Sequence, residues 1–218
     1  MAGLGIRIST PDTPKPKAAC MPLARSKRWI SPYEQADPLG ASPVKVFLSQ
    51  AAYCRISLHA ASELDDEVGG ALIGLWCVDR DSDEQFVVIQ HMLPARHTRQ
   101  GSVYLTFTQD TLVGFHDELE RNYAGKKIVG WYHTHPRMGI FLSHYDTFLH
   151  NNFFPEPWQV ALVVEPHKSL GGFFIRSADG SLSPTRYSGC YEMNGNLGRN
   201  MVEWKNLQSA EEDESRGD

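Results

Sequence analysis

Residues 131–146 of this chain have the sequence WYHTHPRMGIFLSHYD, which places two histidines, a serine and an aspartate close together. Alternate residues of a strand project to the same face of a sheet, so His133 and His135 point their imidazoles to one place at the end of a strand. Pro136 cannot donate a ladder hydrogen bond, so the chain turns there. Both histidines are therefore expected at a sheet edge that a substrate can reach.

The next helix is expected to bring a carboxylate to the same edge. Beyond a six-residue loop, Ser143 is placed to cap that helix and Asp146 falls in its first turn. Two neutral imidazoles and one carboxylate are a three-ligand set for Zn²⁺, which leaves a fourth position for water, as in catalytic sites. A lone histidine or a lone Ser-x-x-Asp pattern is usually structural. The whole set within one short window instead predicts a metal centre of His133, His135 and Asp146.

Hydrolysis of an amide at such a centre also needs a base that takes a proton from water and delivers it to the departing amine. The upstream candidates are the carboxylates Glu63, Asp65, Asp66 and Glu67. Glu67 directly precedes the apolar run VGGALIGLW and is best held by regular structure. Spacing alone does not exclude the other three carboxylates as the base.

The flanking sequence alternates between strand and helix patterns. The apolar runs GGALIGLWCV and QFVVIQHML, separated by DRDSDE, predict a hairpin, and Ser49 is placed to cap a helix that follows a strand over residues 44–48. Further helices are predicted over residues 108–124 and 144–153, and further strands over residues 103–107 and in IVGWYH, WQVALVVEP, GGFFIRS and PTRYSGCYEM. The sum is a single mixed α/β domain over residues 44–193, with helices packed on a central sheet.

The two ends of the chain have different compositions from this domain. Residues 1–43 are rich in proline and locally basic, which predicts a flexible leader or linker that could suit an acidic partner. Residues 194–218 are predicted as a C-terminal segment whose acidic end, EEDESRGD, is disordered.

Composition excludes several classes of protein. With 218 residues, of which 41% are hydrophobic, the chain can bury a sizeable core and is not disordered throughout. Its formal charge of −5 gives no overall electrostatic case for binding nucleic acid or an anionic membrane. No apolar run approaches the ~20 residues of a membrane helix, and the first residues lack the apolar core of a secretory signal. A cytoplasmic protein with four reduced, widely spaced cysteines is expected.

The motifs together resemble the signature of the JAMM metalloproteases, also called the JAB1/MPN+ group. The resemblance rests on Glu67 followed by VGGALIG, on the sequence HTHP from His133, and on Ser143 and Asp146, and it covers the predicted domain. It implies that His133, His135 and Asp146 bind zinc, that Glu67 is the general base, and that Ser143 stabilises the oxyanion. Many members hydrolyse the isopeptide bond between the C-terminus of ubiquitin or a ubiquitin-like protein and a lysine; others trim ubiquitin-like precursors.

The short chain and the style of the strand QVALVVEP resemble the prokaryotic JAB-domain isopeptidases. Some of these are encoded beside enzymes that activate and conjugate a ubiquitin-like protein, including in antiviral defence. The partners implied are a ubiquitin-like protein, its conjugates, and the activating and conjugating enzymes of the same pathway.

Alternatives remain open at this point. The chain could be a noncatalytic scaffold of the same fold, or a protein that binds nucleic acid through its basic leader. Residues 94–102, PARHTRQGS, are predicted either as a flap over the substrate tail or as a plain surface loop. His144 and His150 flank the site helix and could support a second metal or the first one's ligands.

Overall fold

The computed structural model of the chain describes residues 14–36, 42–95, 98–101, 104–194 and 199–210. Its strands are β1 (Lys17–Ala19), β2 (Ser26–Ile30), β3 (Val44–Ser49), β4 (Gly69–Asp79), β5 (Gln85–Pro94), β6 (Thr98–Gly101), β7 (Tyr104–Phe107), β8 (Lys127–Thr134), β9 (Val160–Glu165), β10 (Leu170–Phe174), β11 (Cys190–Met193) and β12 (Gln208–Ser209). Its helices are α1 (Pro32–Ala36), α2 (Gln50–Ala61), α3 (Gln109–Asn122) and α4 (His144–Phe153). Within these ranges no helix is both long and apolar enough to cross a membrane.

The larger sheet is mixed, which confirms the predicted fold class. Its strand order is β10, β9, β8, β4, β5, β3, β11, β2 and β12, and β1 pairs with the far end of β4. β8 runs parallel to β9, and β3 runs parallel to both β5 and β11, whereas the neighbours β4 and β8 are antiparallel. β4 and β5 form the predicted hairpin. β6 and β7 form a separate two-stranded sheet.

Helices cover both faces of the larger sheet. Because alternate residues of β8 go to opposite faces, Trp131 packs with residues of α3 and α4 such as Phe115. Tyr132 packs with Ile56 of α2 on the other side. Both aromatic rings of β8 are fully buried. His133, two residues after Trp131, therefore lies on the face that α3 and α4 cover.

The beginning of β4 passes its neighbours closely. Gly70 lies opposite Tyr132 of β8 and Pro94 of β5. A Cβ atom at Gly70 would lie 2.0 Å from the carbonyl oxygen of Leu93, which is far inside van der Waals contact. Glycine is therefore required where β4 begins, three residues after Glu67.

The prediction of a flexible leader over residues 1–43 is wrong for its described part, because β1, β2 and α1 belong to the domain. Ala18 in β1 lies opposite Val78, and Trp29 in β2 lies opposite Cys190. The sequence SKRWI of β2 lacks an apolar alternation, so its partner far along the chain, rather than its own pattern, makes it a strand. Residues 1–13 and 37–41 of the predicted leader lie outside the described residues.

The domain also continues past residue 193, where the sequence pattern predicts its end. β12 pairs with β2, and Val202, Trp204 and Leu207 are buried in the main core cluster. These residues follow neither a strand nor a helix period, so pattern-based prediction does not detect them. The acidic end, residues 211–218, lies outside the described residues.

Candidate metal centre

The two histidines lie where β8 ends. His133 pairs with Gly69 of β4 and with Val163 of β9. His135 continues the same extended course, because its backbone N–H donates to the carbonyl oxygen of Val164 at 2.8 Å. The two imidazoles therefore project to the same face, and their Nε2 atoms lie 2.8 Å apart.

Asp146 reaches the same place from the first turn of α4. Ser143 caps this helix, with its Oγ accepting the Asp146 N–H at 3.1 Å, and Asp146 Oδ2 accepts the Ser143 N–H at 2.7 Å. This reciprocal capping box orients the carboxylate at the helix N-terminus, where the helix dipole favours a negative charge. The helix spans His144–Phe153, which confirms its predicted extent.

Three candidate ligand groups converge in this way. Asp146 Oδ1 lies 3.3 Å from His133 Nε2, and Asp146 Oδ2 lies 3.5 Å from His135 Nε2. A tetrahedral zinc ion with bonds of about 2.0 to 2.1 Å holds neighbouring ligand atoms about 3.3 Å apart. The two distances between imidazole and carboxylate match that separation, and the distance between the two imidazoles is shorter.

The three side chains are nearly excluded from solvent, with exposed fractions between 0 and 4%. Burial raises the pKa of Asp146, but His133 and hydrogen bonds from His133, His135 and Ser143 lower it more, so the net pKa lies well below its usual range. Burial and the neighbouring His133 lower the pKa of His135, against the opposing effect of Asp146. The site therefore favours an ionised Asp146 beside a neutral His135, which are the protonation states that metal binding requires.

Glu67 lies two residues before β4, beside the imidazoles. Its Oε1 is 3.8 Å from His135 Nε2, and the side chain is 2% exposed. Burial raises the pKa of Glu67 to about 7, against the lowering effect of His135 and together with the raising effect of Asp146. A carboxylate in this position can accept and release a proton near neutral pH.

The other three candidate bases lie apart from the imidazoles. Glu63 Oε1 accepts the backbone N–H groups of Asp65 and Asp66 within its own turn. Asp65 is exposed and pairs with Arg137 at 3.2 Å. Glu67 is thus the carboxylate of the four that the structure brings to the two histidines.

The residues present fit a zinc ion. Within the described residues, Glu67 Oε2 is buried without a hydrogen-bond partner. A buried acceptor without a partner lowers the stability of the fold by about 1–3 kcal/mol. The neighbouring carboxylates of Glu67 and Asp146 also repel each other when both are ionised. A divalent cation held by His133 Nε2, His135 Nε2 and Asp146 would offset both costs. Two imidazole nitrogens and one carboxylate oxygen are a donor set that zinc takes.

Ser143 lies at the edge of the same site. As the N-cap, its Oγ accepts the Asp146 N–H. The structural role of Ser143 is visible in these contacts. Its role at an oxyanion stays a prediction.

A supporting layer lies behind His133. It includes His150, for which support of the first metal's ligands was an open alternative, and also Trp131 and Arg176, for which the sequence pattern carries no such indication. The indole of Trp131 stacks on the His133 ring with centroids 4.6 Å apart, and its Nε1 donates to His150 Nδ1 at 3.1 Å. Arg176 Nη1 lies 2.7 Å from His150 Nε2, and burial together with Arg176 lowers the pKa of His150 to about 3. His150 therefore belongs to the packing behind His133, and the described residues contain no second cluster of metal-binding side chains.

The predicted flap over residues 94–102 is in part a hairpin. Thr98–Gly101 forms β6 and pairs antiparallel with β7, with Thr98 opposite Phe107. This hairpin is separate from the main sheet. Arg96, His97 and Ser102 lie outside the described residues, and the role of the segment as a flap stays a prediction.

Comparison with known proteins groups this site with a family. Residues 41–154 match the family described as JAB1/Mov34/MPN/PAD-1 ubiquitin protease. The chain is 33% identical over 131 residues to COP9 signalosome complex subunit 5 of Kluyveromyces lactis. It is 26% identical over 148 residues to 26S proteasome regulatory subunit RPN11 of Eremothecium gossypii. A shorter similarity, 33% over 84 residues, is to NAD(+) hydrolase TcpA of Theionarchaea archaeon.

The similarity to COP9 signalosome complex subunit 5 covers 59% of this chain and 33% of that relative. The corresponding shares are 67% and 46% for RPN11, and 38% and 25% for TcpA. The chain thus spans less than half the length of each of these relatives. The family match covers slightly more than half of the chain and includes Glu67, both histidines of the site, Ser143 and Asp146. The chain therefore belongs to the JAB1/Mov34/MPN/PAD-1 family.

Proposed function

We propose that the protein is a zinc-dependent isopeptidase or peptidase that hydrolyses the bond after the C-terminal tail of a ubiquitin-like protein. The observation that carries this proposal is the convergence of His133, His135 and Asp146 beside the buried carboxylate of Glu67. The description of the family as a ubiquitin protease supports the class of substrate. The reaction would remove the ubiquitin-like protein from its targets, mature its precursor, or both.

His133, His135 and Asp146 would hold the zinc ion. When bound, zinc supplies a Lewis acid that polarises the scissile carbonyl and acidifies the attacking water. Glu67 takes a proton from that water and delivers it to the leaving nitrogen as the C–N bond breaks. The oxygen of the water stays on the new carboxyl group of the tail. Burial of Glu67 favours its uptake of a proton, because it raises the pKa of the carboxyl group.

Ser143 would act during the same step. Its Oγ is held at the start of α4 by the Asp146 N–H, and we propose that its hydroxyl group donates to the developing oxyanion. A donor held in place beforehand stabilises developing charge without reorganisation, which is the basis of oxyanion-hole catalysis. The fixed geometry of the capping box supports this role.

The proposed substrate also fits the place of the site. A ubiquitin-like tail is extended and rich in glycine, so it can pair with a strand through main-chain hydrogen bonds and approach closely. The site lies at strand ends, near the point where β5 leads into the hairpin of β6 and β7. This hairpin is the part of the chain that we propose as a wall along the tail.

The resemblance to prokaryotic JAB-domain isopeptidases extends the proposal to a bacterial ubiquitin-like conjugation system, including antiviral ones. Its activating and conjugating enzymes would be further partners. We place the reaction in the cytoplasm, where the four cysteines, which are free thiols in the structure, would stay reduced.

The proposal is tested by measuring zinc and hydrolysis in the full chain and in two matched variants. The substrates are ubiquitin joined through its C-terminus to a lysine of a second ubiquitin, and the aminocoumarin amide of ubiquitin. We expect about one zinc per chain in all proteins. Glu67→Gln should lower kcat by at least about a hundredfold, because the proton acceptor is lost. Glu63→Gln, four residues earlier in the same segment, should hydrolyse normally.

Each alternative predicts another result. Full activity of Glu67→Gln would show that Glu67 is not the base. A wild-type protein that binds no zinc and hydrolyses neither substrate would instead support a noncatalytic scaffold.

A further inference from the structure

The carboxylate of Glu67 is held in place through its backbone. Its Oε2 has no hydrogen-bond partner in the described part of the chain, and its Oε1 is 3.8 Å from His135 Nε2, too far for a hydrogen bond. The position of the carboxylate therefore depends on the segment that leads into β4.

That segment is fastened at three points to neighbouring parts of the chain. Val68 exchanges two hydrogen bonds with Thr134, one to the side-chain Oγ1 at 2.9 Å and one from the backbone N–H at 2.8 Å. Arg137 Nη1 contacts Asp65 Oδ1 at 3.2 Å. His167 Nε2 lies 2.9 Å from the carbonyl oxygen of Leu64. The last two contacts come from the loop after the histidines and from the turn after β9.

One buried carboxylate organises both of those loops. Glu165, the last residue of β9, is fully buried and accepts three backbone N–H groups. Its Oε1 accepts from Arg137 and from His167, each at 3.0 Å, and its Oε2 accepts from Lys168 at 2.8 Å. Arg137 has a left-handed backbone with φ of 62°, which non-glycine residues adopt rarely, so its N–H bond to Glu165 holds an unfavourable conformation.

We propose that Glu165 is a positioning residue that sets the place of Glu67 relative to the two imidazoles. It does so through the loop at Arg137 and the turn at His167, which fasten the residues before Glu67. The inference rests on the proposed function, because it assumes that Glu67 is the general base. Misplacing a reacting group by about 1 Å can cost on the order of a hundredfold in rate.

The first test compares Glu165→Gln with Glu120→Gln, an exposed glutamate on α3, in the full chain. The single acceptor oxygen of glutamine can serve either the N–H groups of Arg137 and His167 or that of Lys168, while its amide group faces the remaining donors. In either orientation the turn that contains His167 and Lys168 loses at least one bond. We expect Glu165→Gln to bind one zinc per chain with KM changed less than about twofold and kcat lowered on the order of tenfold or more. Glu120→Gln should match the wild type.

The second test uses His167, which is exposed, so its variants fold even if Glu165→Gln does not. His167→Ala removes the contact to Leu64 and should lower kcat in the same direction by a smaller factor. His167→Gln restores a donor of similar reach and should recover most of the wild-type kcat. Recovery by glutamine would show that kcat depends on the hydrogen bond to Leu64 and not on the volume of the side chain.

Hydrogen exchange of the amides of residues 64–68, measured on metal-free protein, gives a readout that does not depend on activity. We expect Glu165→Gln and His167→Ala to speed this exchange at least about threefold while β5 stays unchanged. In a Glu67→Gln background, Glu165→Gln should cause no further loss of kcat, because both act through one group. Additive losses would show a merely structural role.

The outcomes separate the two proposals. Unchanged exchange at residues 64–68 and unchanged kcat in Glu165→Gln would overturn the positioning role and leave the proposed function standing. If the wild type binds no zinc and hydrolyses neither ubiquitin substrate, the proposed function fails. The exchange rates then still decide whether Glu165 holds the segment before Glu67.

Discussion

Replacing Asp146 by asparagine should separate the two roles of this side chain. Its Oδ2 accepts the Ser143 N–H at 2.7 Å, and its two oxygens lie 3.3 and 3.5 Å from the imidazoles of His133 and His135. Asparagine keeps an acceptor oxygen for the helix cap but loses the charge that a metal ligand needs. We therefore expect Asp146→Asn to fold with α4 intact and to bind zinc weakly.

The size of this effect follows from linkage between binding and folding. A ligand present at a thousand times its Kd stabilises the folded state by about 4.1 kcal/mol. For a chain of this size, about 1 kcal/mol moves Tm by about 2–4 °C, so zinc at that concentration should raise Tm by roughly 8–16 °C. Asp146→Asn should lose most of that rise. Asp146→Ala should lose it and also about 1 kcal/mol of metal-free stability, because the cap is weakened as well.

Calorimetry with and without zinc, together with the metal content per chain, measures both quantities. Asp110→Asn is the matched control, since Asp110 also lies in the first turn of a helix, α3, but outside the candidate metal cluster. It should keep the full rise in Tm. Stoichiometric zinc and an undiminished rise in Asp146→Asn would show that Asp146 is not a ligand, whatever the distances in the site.

Three further predictions test other parts of the structure. Because the folded-state pKa of Glu67 is raised from 4.5 to about 7, Glu67 should subtract about 3 kcal/mol from metal-free stability as pH rises between those values, while the lowered pKa values of His135 and His150 act in the opposite direction in every variant. Metal-free Glu67→Gln should lack that loss in urea unfolding at pH 7 and should match the wild type below pH 4.5; equal pH dependence would refute the raised pKa. Trp204→Ala should cost about 3–5 kcal/mol in the same assay, because the indole packs edge-on against Tyr53, and a cost near zero would place residues beyond 193 outside the core. Gly70→Ala should prevent soluble expression, since its Cβ would lie 2.0 Å from a carbonyl oxygen of β5, whereas Gly114→Ala on the open side of α3 should be tolerated; normal expression of Gly70→Ala would contradict the close approach.

The parts of the site that could be predicted from the sequence are those that short-range geometry determines. The two-residue period of a strand is enough to put His133 and His135 on one face. The capping pattern is enough to put Ser143 and Asp146 at the beginning of α4. These rules need no knowledge of distant residues.

The place of Glu67 depends on a long-range pairing that spacing does not contain. β4 lies beside β8, with Gly69 opposite His133, and this register brings Glu67 to the imidazoles. Four nearby carboxylates satisfy the same spacing argument, and burial separates them only in the folded chain. The contact of Trp131 with His150 was missed for the same reason, because it joins a strand to a helix whose relative placement the pattern does not specify.

The ends of the domain could not be predicted because their residues carry no period of their own. β2 is charged, and Trp204 stands in a segment without regular structure. Deleting residues 1–43 would therefore remove two strands of the sheet along with the basic leader. Loss of function after that deletion would not identify the leader as a binding element, whereas deleting only residues 1–13 leaves every described strand in place.

The pairing of β2 with β11 also limits how early in synthesis the sheet can be completed. Trp29 Nε1 donates to Glu192 Oε2, a contact between residues 163 positions apart. During translation β2 leaves the ribosome before its strand partners, β11 and β12, and it stays unpaired until almost the whole sheet has been made. Contacts of such high sequence separation form slowly, so the nascent chain carries an unpaired edge with an uncovered indole until β11 has been made.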